Sequence, residues 1–283
     1  MRRTYDGDVP ELPEVETVRR RIAPVLEGAT IQRAEIVDPR LTRPFDPSLV
    51  AAELVGETIA EVDRRGKYLL IRLASGRTLT VHLRMTGSLS HAPAGTLPDD
   101  RHRRATLALD TGTDVAYRDV RRFGTWELLE PDDIRPYLRS RLGPEPLAAS
   151  FTGAKLARVA AGRKAPVKSF LLDQRRIAGI GNIYADEALW RARIHPRTPA
   201  GELGEEQLAR LHRAIRAALR RGVELQGSTL RTYVTPDGTQ GGMQHEFHVY
   251  GRLGEPCDRC GHPIERIVLG GRGTWFCPQC QTL

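Results

Sequence analysis

Residues 10–16 of the chain spell Pro-Glu-Leu-Pro-Glu-Val-Glu, and the interpretation of the fold starts from this segment. Residues 17–26 behind it predict one helix, because Val18, Ile22 and Val25 fall on one face. Farther on, short partly alternating segments separated by turn residues predict antiparallel strands at 57–63, 67–73, 78–84, 105–110, 114–118 and 124–129. The first half of the chain is therefore predicted to be an antiparallel β-sandwich or barrel with a flanking helix, and residues 91–104 a loop.

The second half changes to helical periodicity. Predicted helices cover residues 152–161, 166–174, 182–193 and 204–225, and the last of them carries one apolar stripe from Leu208 to Val223. Composition predicts a loop rich in glycine, threonine and glutamine at 227–244. We expect an α+β protein with a catalytic β-sandwich domain (10–142), a linker (143–150), a helical domain that ends in the loop 227–244 (151–244) and a small metal module (245–283).

The charge of the chain favours an anionic partner. A formal net charge of +8 and a pI near 9.7 point to nucleic acid as the commonest such partner. The sequence contains no run of about 18 apolar residues, so it predicts no membrane-spanning helix. Residues 1–9 lack the apolar core of a secretory signal. Cysteines occur only near the C-terminus, at a spacing typical of metal sites in a reducing compartment, so we expect a cytoplasmic protein.

The four cysteines form two Cys-x-x-Cys pairs. Cys257 and Cys260 make the first pair, and Cys277 and Cys280 make the second. This spacing predicts one structural, tetrahedral zinc ion held by two turns on a hairpin. An iron–sulfur or redox role is the alternative. Because so short a tail cannot support a core of its own, the metal is expected to hold it together.

Several motifs together resemble the formamidopyrimidine-DNA glycosylase / endonuclease VIII family. They are the opening PELPEVE, RRGKYLL at 64–70, HLRMTG at 82–87, RRFG at 121–124, GIGNIYADEALW at 179–190 and the four-cysteine tail. The resemblance runs from Pro10 to Cys280. It implies that the helical domain is a helix–two-turn–helix domain and that the tail is a β-hairpin zinc finger.

The resemblance makes the position of Pro10 a chemical problem. In this family the proline is the first residue of the mature protein, and its free secondary amine is the nucleophile. An internal proline nitrogen is an amide and cannot attack. Val9 fits a GTG initiation codon, and only four of the 43 basic residues are lysines, a skew typical of GC-rich genomes, where GTG starts are frequent. We expect residues 1–9 to be a mis-assigned start, or else a tail removed by processing.

The resemblance implies a bifunctional glycosylase and lyase. Attack by Pro10 on C1′ of a damaged nucleotide would expel the base and leave a Schiff base, and β,δ-elimination would then cut the strand. Glu11 would be the general acid/base, Lys67 a proton donor and phosphate contact, and Arg272 a guanidinium that grips phosphate. Each residue also has a non-catalytic interpretation. Glu11 could be an ordinary carboxylate at a helix N-terminus, Lys67 could be a lysine present by chance, and Arg272 could be a solvated arginine at a hairpin tip.

The resemblance also implies a set of DNA contacts. An enzyme that flips a base must fill the gap and satisfy the orphaned partner base. Met85 and Phe123 would be the wedges and Arg121 would read the partner base, with core packing the alternative for the two apolar residues. Further contacts are implied for His102, Lys164, Asn182 and Tyr184.

Gly179 and Gly181 lead into a predicted helix whose free N–H groups could bind phosphate. Asn182 could cap this helix or donate to a phosphate. Lys164 is taken as the DNA contact in preference to Lys168, although it could equally be a solvated charge.

The set of Met85, Arg121 and Phe123 favours one branch of the family. It resembles the formamidopyrimidine branch, which prefers oxidised purines such as 8-oxoguanine opposite cytosine. The alternatives are an endonuclease VIII-like enzyme for oxidised pyrimidines, or a non-catalytic lesion-binding protein if Pro10 stays internal. We expect double-stranded damaged DNA as partner, no membrane, no small-molecule cofactor and a monomer. Arg84 departs from bacterial relatives, which usually have glycine there.

Overall fold

A computed structural model of the chain describes residues 9–230 and 233–283. The predictions for residues 1–9 fall, except for Val9, outside the described residues. The chain forms two compact units. Among the described residues, the first unit takes 9–140, 226–230 and 233–241, and the second takes 141–225 and 242–283. The three-part division expected from the sequence stays a prediction.

The first unit contains two four-stranded antiparallel sheets. Their strand orders are β1-β6-β7-β5 and β2-β3-β4-β8. The strands are β1 (Ile31–Ile36), β2 (Ile59–Arg65), β3 (Tyr68–Leu73), β4 (Thr78–His82), β5 (Gly87–Pro93), β6 (Arg103–Leu109), β7 (Thr113–Asp119) and β8 (Thr125–Leu129). Residues of both sheets form one buried core with helix α1 (Leu12–Leu26), to which α1 contributes Val15, Val18 and Ile22. Helices α2 (Pro47–Leu54) and α3 (Pro131–Arg141) complete the unit.

The second unit is helical and ends in a β-hairpin. Its helices are α4 (Gly153–Ala160), α5 (Val167–Leu172), α6 (Asn182–Ala192) and α7 (Glu205–Glu224). The hairpin pairs β9 (Glu265–Leu269) with β10 (Arg272–Phe276). Helix α7 packs closely against the Tyr184 ring of α6 at Gly222, because glycine has no Cβ. A Cβ at this position would lie 2.5 Å from the ring. The expected α+β class and its order of elements are therefore confirmed.

Four elements had no sequence-based prediction. In strand β1 only the first and last residues are buried, so it shows no period-two pattern. Strand β5 is largely polar and ends in proline. Helix α2 has only eight residues, and α3 buries Tyr137 alone, so neither carries an apolar stripe that periodicity could detect. The predicted loop 91–104 is shorter in the structure, because β5 extends to Pro93 and β6 begins at Arg103.

Helix α1 begins five residues before the predicted start at Thr17. A proline in the first turn fits a helix start because its missing N–H would have no partner there. Glu14 completes the terminus by accepting the Glu11 N–H at 3.0 Å. None of the described helices combines the length and the apolar character that crossing a membrane requires.

Glu16 of α1 binds three arginines, two on the same helix and one on strand β2. Its carboxylate accepts hydrogen bonds from Arg19, Arg20 and Arg64, with N···O distances between 2.7 and 3.1 Å. Burial alone would raise the pKa of Glu16, but the hydrogen bonds from Arg19 and Arg20 and the charge of Arg64 outweigh burial and lower the pKa to about 2. The folded state therefore stabilises the ionised carboxylate.

We predict that Glu16→Gln lowers the free energy of unfolding at pH 7 by up to about 3 kcal/mol. Because the folded pKa lies below the ordinary value, this stabilisation is complete above pH 4.5 and disappears as the pH falls toward 2. Urea unfolding across this range should show the wild-type and variant curves converging in acid. Glu61→Gln removes an exposed partner of Arg72 and is the control, with an expected loss below about 1 kcal/mol. A difference that persists at pH 2 would contradict the assignment.

Candidate nucleic-acid interface and metal centre

Pro10 and Glu11 lie directly in front of α1. Both are buried, and Glu11 is the N-cap of the helix in extended conformation. The positive end of the helix dipole favours a carboxylate at this position. The structure therefore places the predicted nucleophile and the predicted acid/base side by side at one helix terminus.

Glu14 is a functional candidate that the sequence analysis missed. It is 3% exposed, and its Oε1 atom accepts the Ser228 N–H at 2.8 Å. Gly227 approaches so closely that a Cβ would lie 2.7 Å from Glu14 Cγ. The Tyr233 hydroxyl donates to the Glu14 carbonyl at 3.3 Å. The start of the predicted loop 227–244 is thus bound to the helix behind Pro10, while residues 231 and 232 of that loop lie outside the described residues.

Lys67 occupies the two-residue turn between β2 and β3. Gly66 precedes it with φ +59°, and Arg65 pairs with Tyr68 across the turn. Burial, together with the positive charges of Arg84 and Lys67, holds the pKa of His82 well below 6.5. Neutral His82 accepts the Arg84 N–H on Nδ1 at 3.0 Å. Lys67 therefore lies in a locally positive part of the first unit.

The predicted wedges and base reader lie on two connections of the sandwich. Met85 is half-buried between β4 and β5, while Arg121 and Phe123 lie between β7 and β8. Phe123 is 51% exposed, so core packing does not explain it. The Arg121 guanidinium carbon lies 4.9 Å from the centre of the Phe123 ring. His102 is half-buried just before β6.

In the second unit, the glycine motif leads into α6 as predicted, with a different cap. Gly181 is the N-cap, and Asn182 is the first helical residue. The Asn182 side-chain amide donates to the Gly273 carbonyl at 3.1 Å instead of capping the helix. Tyr184 is 1% exposed, and its ring packs against Gly222 of α7. Lys164 is exposed and lies just before α5.

Lys168 is a second residue that the sequence analysis passed over in favour of Lys164. It is completely buried, and its Nζ atom lies 2.8 Å from Asp186 Oδ1 and 2.8 Å from the Gly273 carbonyl. Asp186 also accepts the Trp275 N–H at 3.0 Å. Burial raises the pKa of Asp186 to about 6, against the opposing effect of Lys168. This ion pair fixes the backbone of β10.

Arg272 is the first residue of that strand. The turn before it is Gly270-Gly271, with φ values of +55° and +74° that favour glycine. Arg272 itself is exposed, whereas Gly273 behind it is buried. The hairpin thus presents a guanidinium on a backbone held by Lys168 and Asn182.

The four cysteines meet at one point. The sulfur atoms of Cys257, Cys260, Cys277 and Cys280 all lie within 4.8 Å of one another. Cys260 Sγ and Cys277 Sγ are 3.5 Å apart, close to the separation of about 3.8 Å that a tetrahedral zinc–thiolate site requires. Trp190 Nε1–H donates to Cys257 Sγ at 3.3 Å. The donor set and its geometry therefore fit one zinc ion, for which these thiolates would supply a closed structural site.

We predict that removing zinc with a chelator unfolds the module 245–283 and leaves helices α4–α7 largely intact. Structural zinc contributes on the order of 10 kcal/mol to such modules. Limited proteolysis with mass spectrometry should show new cleavage sites confined to the module, and Trp275, now 1% exposed, should shift its emission to longer wavelength. Metal analysis should find one zinc per chain. A chelated protein with unchanged cleavage and emission would contradict the prediction.

Comparison with known proteins shows three adjacent family matches. Residues 9–126 match the formamidopyrimidine-DNA glycosylase N-terminal domain. Residues 142–234 match the H2TH domain of the same glycosylase, and residues 254–283 match a zinc finger found in FPG and IleRS.

Individual relatives match over nearly the whole chain. The formamidopyrimidine-DNA glycosylase of Chloroflexus aurantiacus is 48% identical over 96% of this chain and 98% of its own length. A Lactococcus lactis FPG mutant bound to Fapy-dG containing DNA superposes with a TM-score of 0.91 at 40% identity, covering 97% of this chain and 100% of that one. MutM bound to carbocyclic 8-oxo-G containing DNA gives a TM-score of 0.90 at 39% identity, with 97% and 100% covered.

Proposed function

The chain belongs to the formamidopyrimidine-DNA glycosylase family, and from this premise we propose that it excises oxidised purines from duplex DNA and then cleaves the strand. The observation that carries the proposal is similarity over nearly the full length to glycosylases of this family, including proteins bound to Fapy-dG and 8-oxo-G DNA. The protein acts in base excision repair as a DNA glycosylase and AP lyase. It uses one structural zinc ion.

The chemistry begins at Pro10. Its deprotonated secondary amine attacks C1′ of the damaged nucleotide, the C1′–N bond breaks, and the base leaves with a proton. Glu11 is the acid/base that helps to open the sugar ring. The resulting iminium withdraws electrons and acidifies the C2′ proton, so that successive elimination of the 3′ and 5′ phosphates cuts the strand. The burial of both residues at the N-terminus of α1 supports these roles.

The remaining residues bind and orient DNA. Lys67 acts as proton donor and phosphate contact, and the exposed Arg272 grips phosphate from its rigid hairpin. Met85 and Phe123 fill the gap left by the flipped nucleotide while Arg121 reads the partner base. The exposure of Phe123 and Arg121 supports this assignment. Additional DNA contacts are proposed for His102, Lys164, Asn182 and Tyr184.

The catalytic form is proposed to begin at Pro10, because an amide nitrogen cannot form the iminium. This holds whether residues 1–9 arise from a mis-assigned start or are removed by processing. We place the enzyme in the cytoplasm, where DNA and reduced thiolates coexist.

We predict that borohydride traps a covalent protein–DNA adduct when protein with a verified Pro10 terminus meets abasic-site DNA. The matched control is the 283-residue chain with Met1 confirmed by mass spectrometry, whose blocked nitrogen should give no adduct. Peptide mapping should locate the modification on Pro10. An equal yield of adduct from the extended chain would refute the assigned nucleophile.

We expect excision of 8-oxoguanine opposite cytosine to exceed excision of thymine glycol by about tenfold or more. Single-turnover rates on oligonucleotides that differ only in the lesion measure this ratio. The reverse preference would favour the endonuclease VIII-like alternative. Tight lesion binding without excision or trapping would favour the non-catalytic alternative.

A further inference from the structure

Asp119 is a buried carboxylate that takes no part in the proposed chemistry or in the proposed DNA contacts. It ends strand β7 and is 1% exposed. Its Oδ2 atom accepts the Gly124 N–H at 2.8 Å. Its Oδ1 atom accepts the Thr86 hydroxyl and the Arg121 N–H, the latter at 3.2 Å. One side chain therefore holds both the turn that carries Met85 and the connection that carries Arg121 and Phe123.

Further contacts tighten the same junction. The Arg121 N–H also donates to Thr86 Oγ1 at 3.0 Å, so the two segments bond to each other directly. The Asp119 N–H donates to the His102 carbonyl at 3.0 Å. The segments that carry Met85, His102, Arg121 and Phe123 thus converge on Asp119, which joins them through its backbone and its side chain.

Tyr117 brings the two segments close together beneath this junction. It is fully buried, and its hydroxyl lies where a Cβ on either glycine would fall: 2.4 Å from that of Gly87 and 1.7 Å from that of Gly124. Any side chain at these positions would push the segments apart. The two glycines and Asp119 therefore fix one mutual arrangement of the segments.

The electrostatics of Asp119 point to positioning rather than to charge pairing. Within the described parts of the chain, the Asp119 side chain is held by N–H and O–H donors and not by an ion pair. A buried charge costs free energy unless such donors surround it. Donors fixed by a charge are held more strongly than donors fixed by a neutral acceptor.

We propose that Asp119 is a positioning residue that sets Met85, Arg121 and Phe123 in register, and that it thereby determines how well the enzyme distinguishes the base opposite the lesion. The inference rests on the proposed function, because it takes Arg121 as the reader of that base. Asp119 touches no DNA in this role. It acts through the backbone of Arg121 and through Thr86.

The test replaces Asp119 with asparagine, which keeps the shape and turns one acceptor into a donor. The amide oxygen can replace only one of the two carboxylate oxygens. Either the Gly124 N–H or the Thr86 hydroxyl and the Arg121 N–H therefore lose their acceptor, and the connection that carries Arg121 and Phe123 is no longer fixed. The measured quantity is the ratio of single-turnover excision rates for 8-oxoguanine opposite cytosine and opposite adenine. We expect Asp119→Asn to lower this ratio about tenfold, while borohydride trapping on abasic-site DNA persists.

Asp114→Asn is the matched control. Asp114 lies on the same strand, is 5% exposed and accepts the Gly95 N–H at 2.8 Å, away from the two segments. This variant should match the loss of thermal stability and keep the wild-type ratio. Thr86→Val and Thr86→Ser form a second pair that needs no change at Asp119: valine should lower the ratio and serine should retain it.

The outcomes separate the inference from its premise. A wild-type ratio near one would overturn the proposed reading role of Arg121. If the wild type discriminates and both Asp119→Asn and Thr86→Val keep its ratio, Asp119 has no positioning role. An equal fall in the ratio for Asp114→Asn would also overturn the inference, because general destabilisation would then explain the effect.

Discussion

The carboxylate of Glu14 is the interaction on which the geometry of the first unit depends. One oxygen accepts the Glu11 N–H, and the other accepts the N–H of Ser228, a residue 214 positions away. Both hydrogen bonds are buried, so water does not compete for their donors and acceptors. The same side chain therefore positions the start of α1, which carries the proposed chemistry, and the start of the loop 227–244.

Buried carboxylates recur in this protein as acceptors of backbone N–H groups. Asp119 holds the connections after β4 and β7, Asp186 holds β10 through Trp275, and Glu187 accepts the N–H groups of His248, Val249 and Tyr250. Loops contribute few apolar side chains, so hydrophobic packing alone fixes them poorly, whereas backbone N–H groups need acceptors wherever water is excluded. A carboxylate accepts several of them at once. Hydrogen bonds to buried carboxylates, more than hydrophobic packing, thus fix the backbone positions of the proposed DNA-contacting segments.

Sequence patterns predicted those elements whose physical signal is local. The apolar stripe of α7 predicted a helix over 204–225, where the structure has Glu205–Glu224, and the cysteine spacing predicted the sulfur cluster. Elements without a local signal were missed, such as α3, which buries a single residue. The roles of Glu14, Lys168 and Asp119 were also missed. Except for the contact of Glu14 with the Glu11 N–H, their partners are remote in sequence or are backbone atoms, and such contacts leave no spacing that a sequence pattern can show.

The path of the chain through its two units has a consequence for biosynthesis. Residues 226–241 return to the first unit after α7 has been completed in the second. A ribosome therefore has to release most of the polypeptide before Ser228 can reach Glu14. Chains that end before Ser228 lack the anchor beside α1. The buried anchor beside α1 is therefore completed only late in translation.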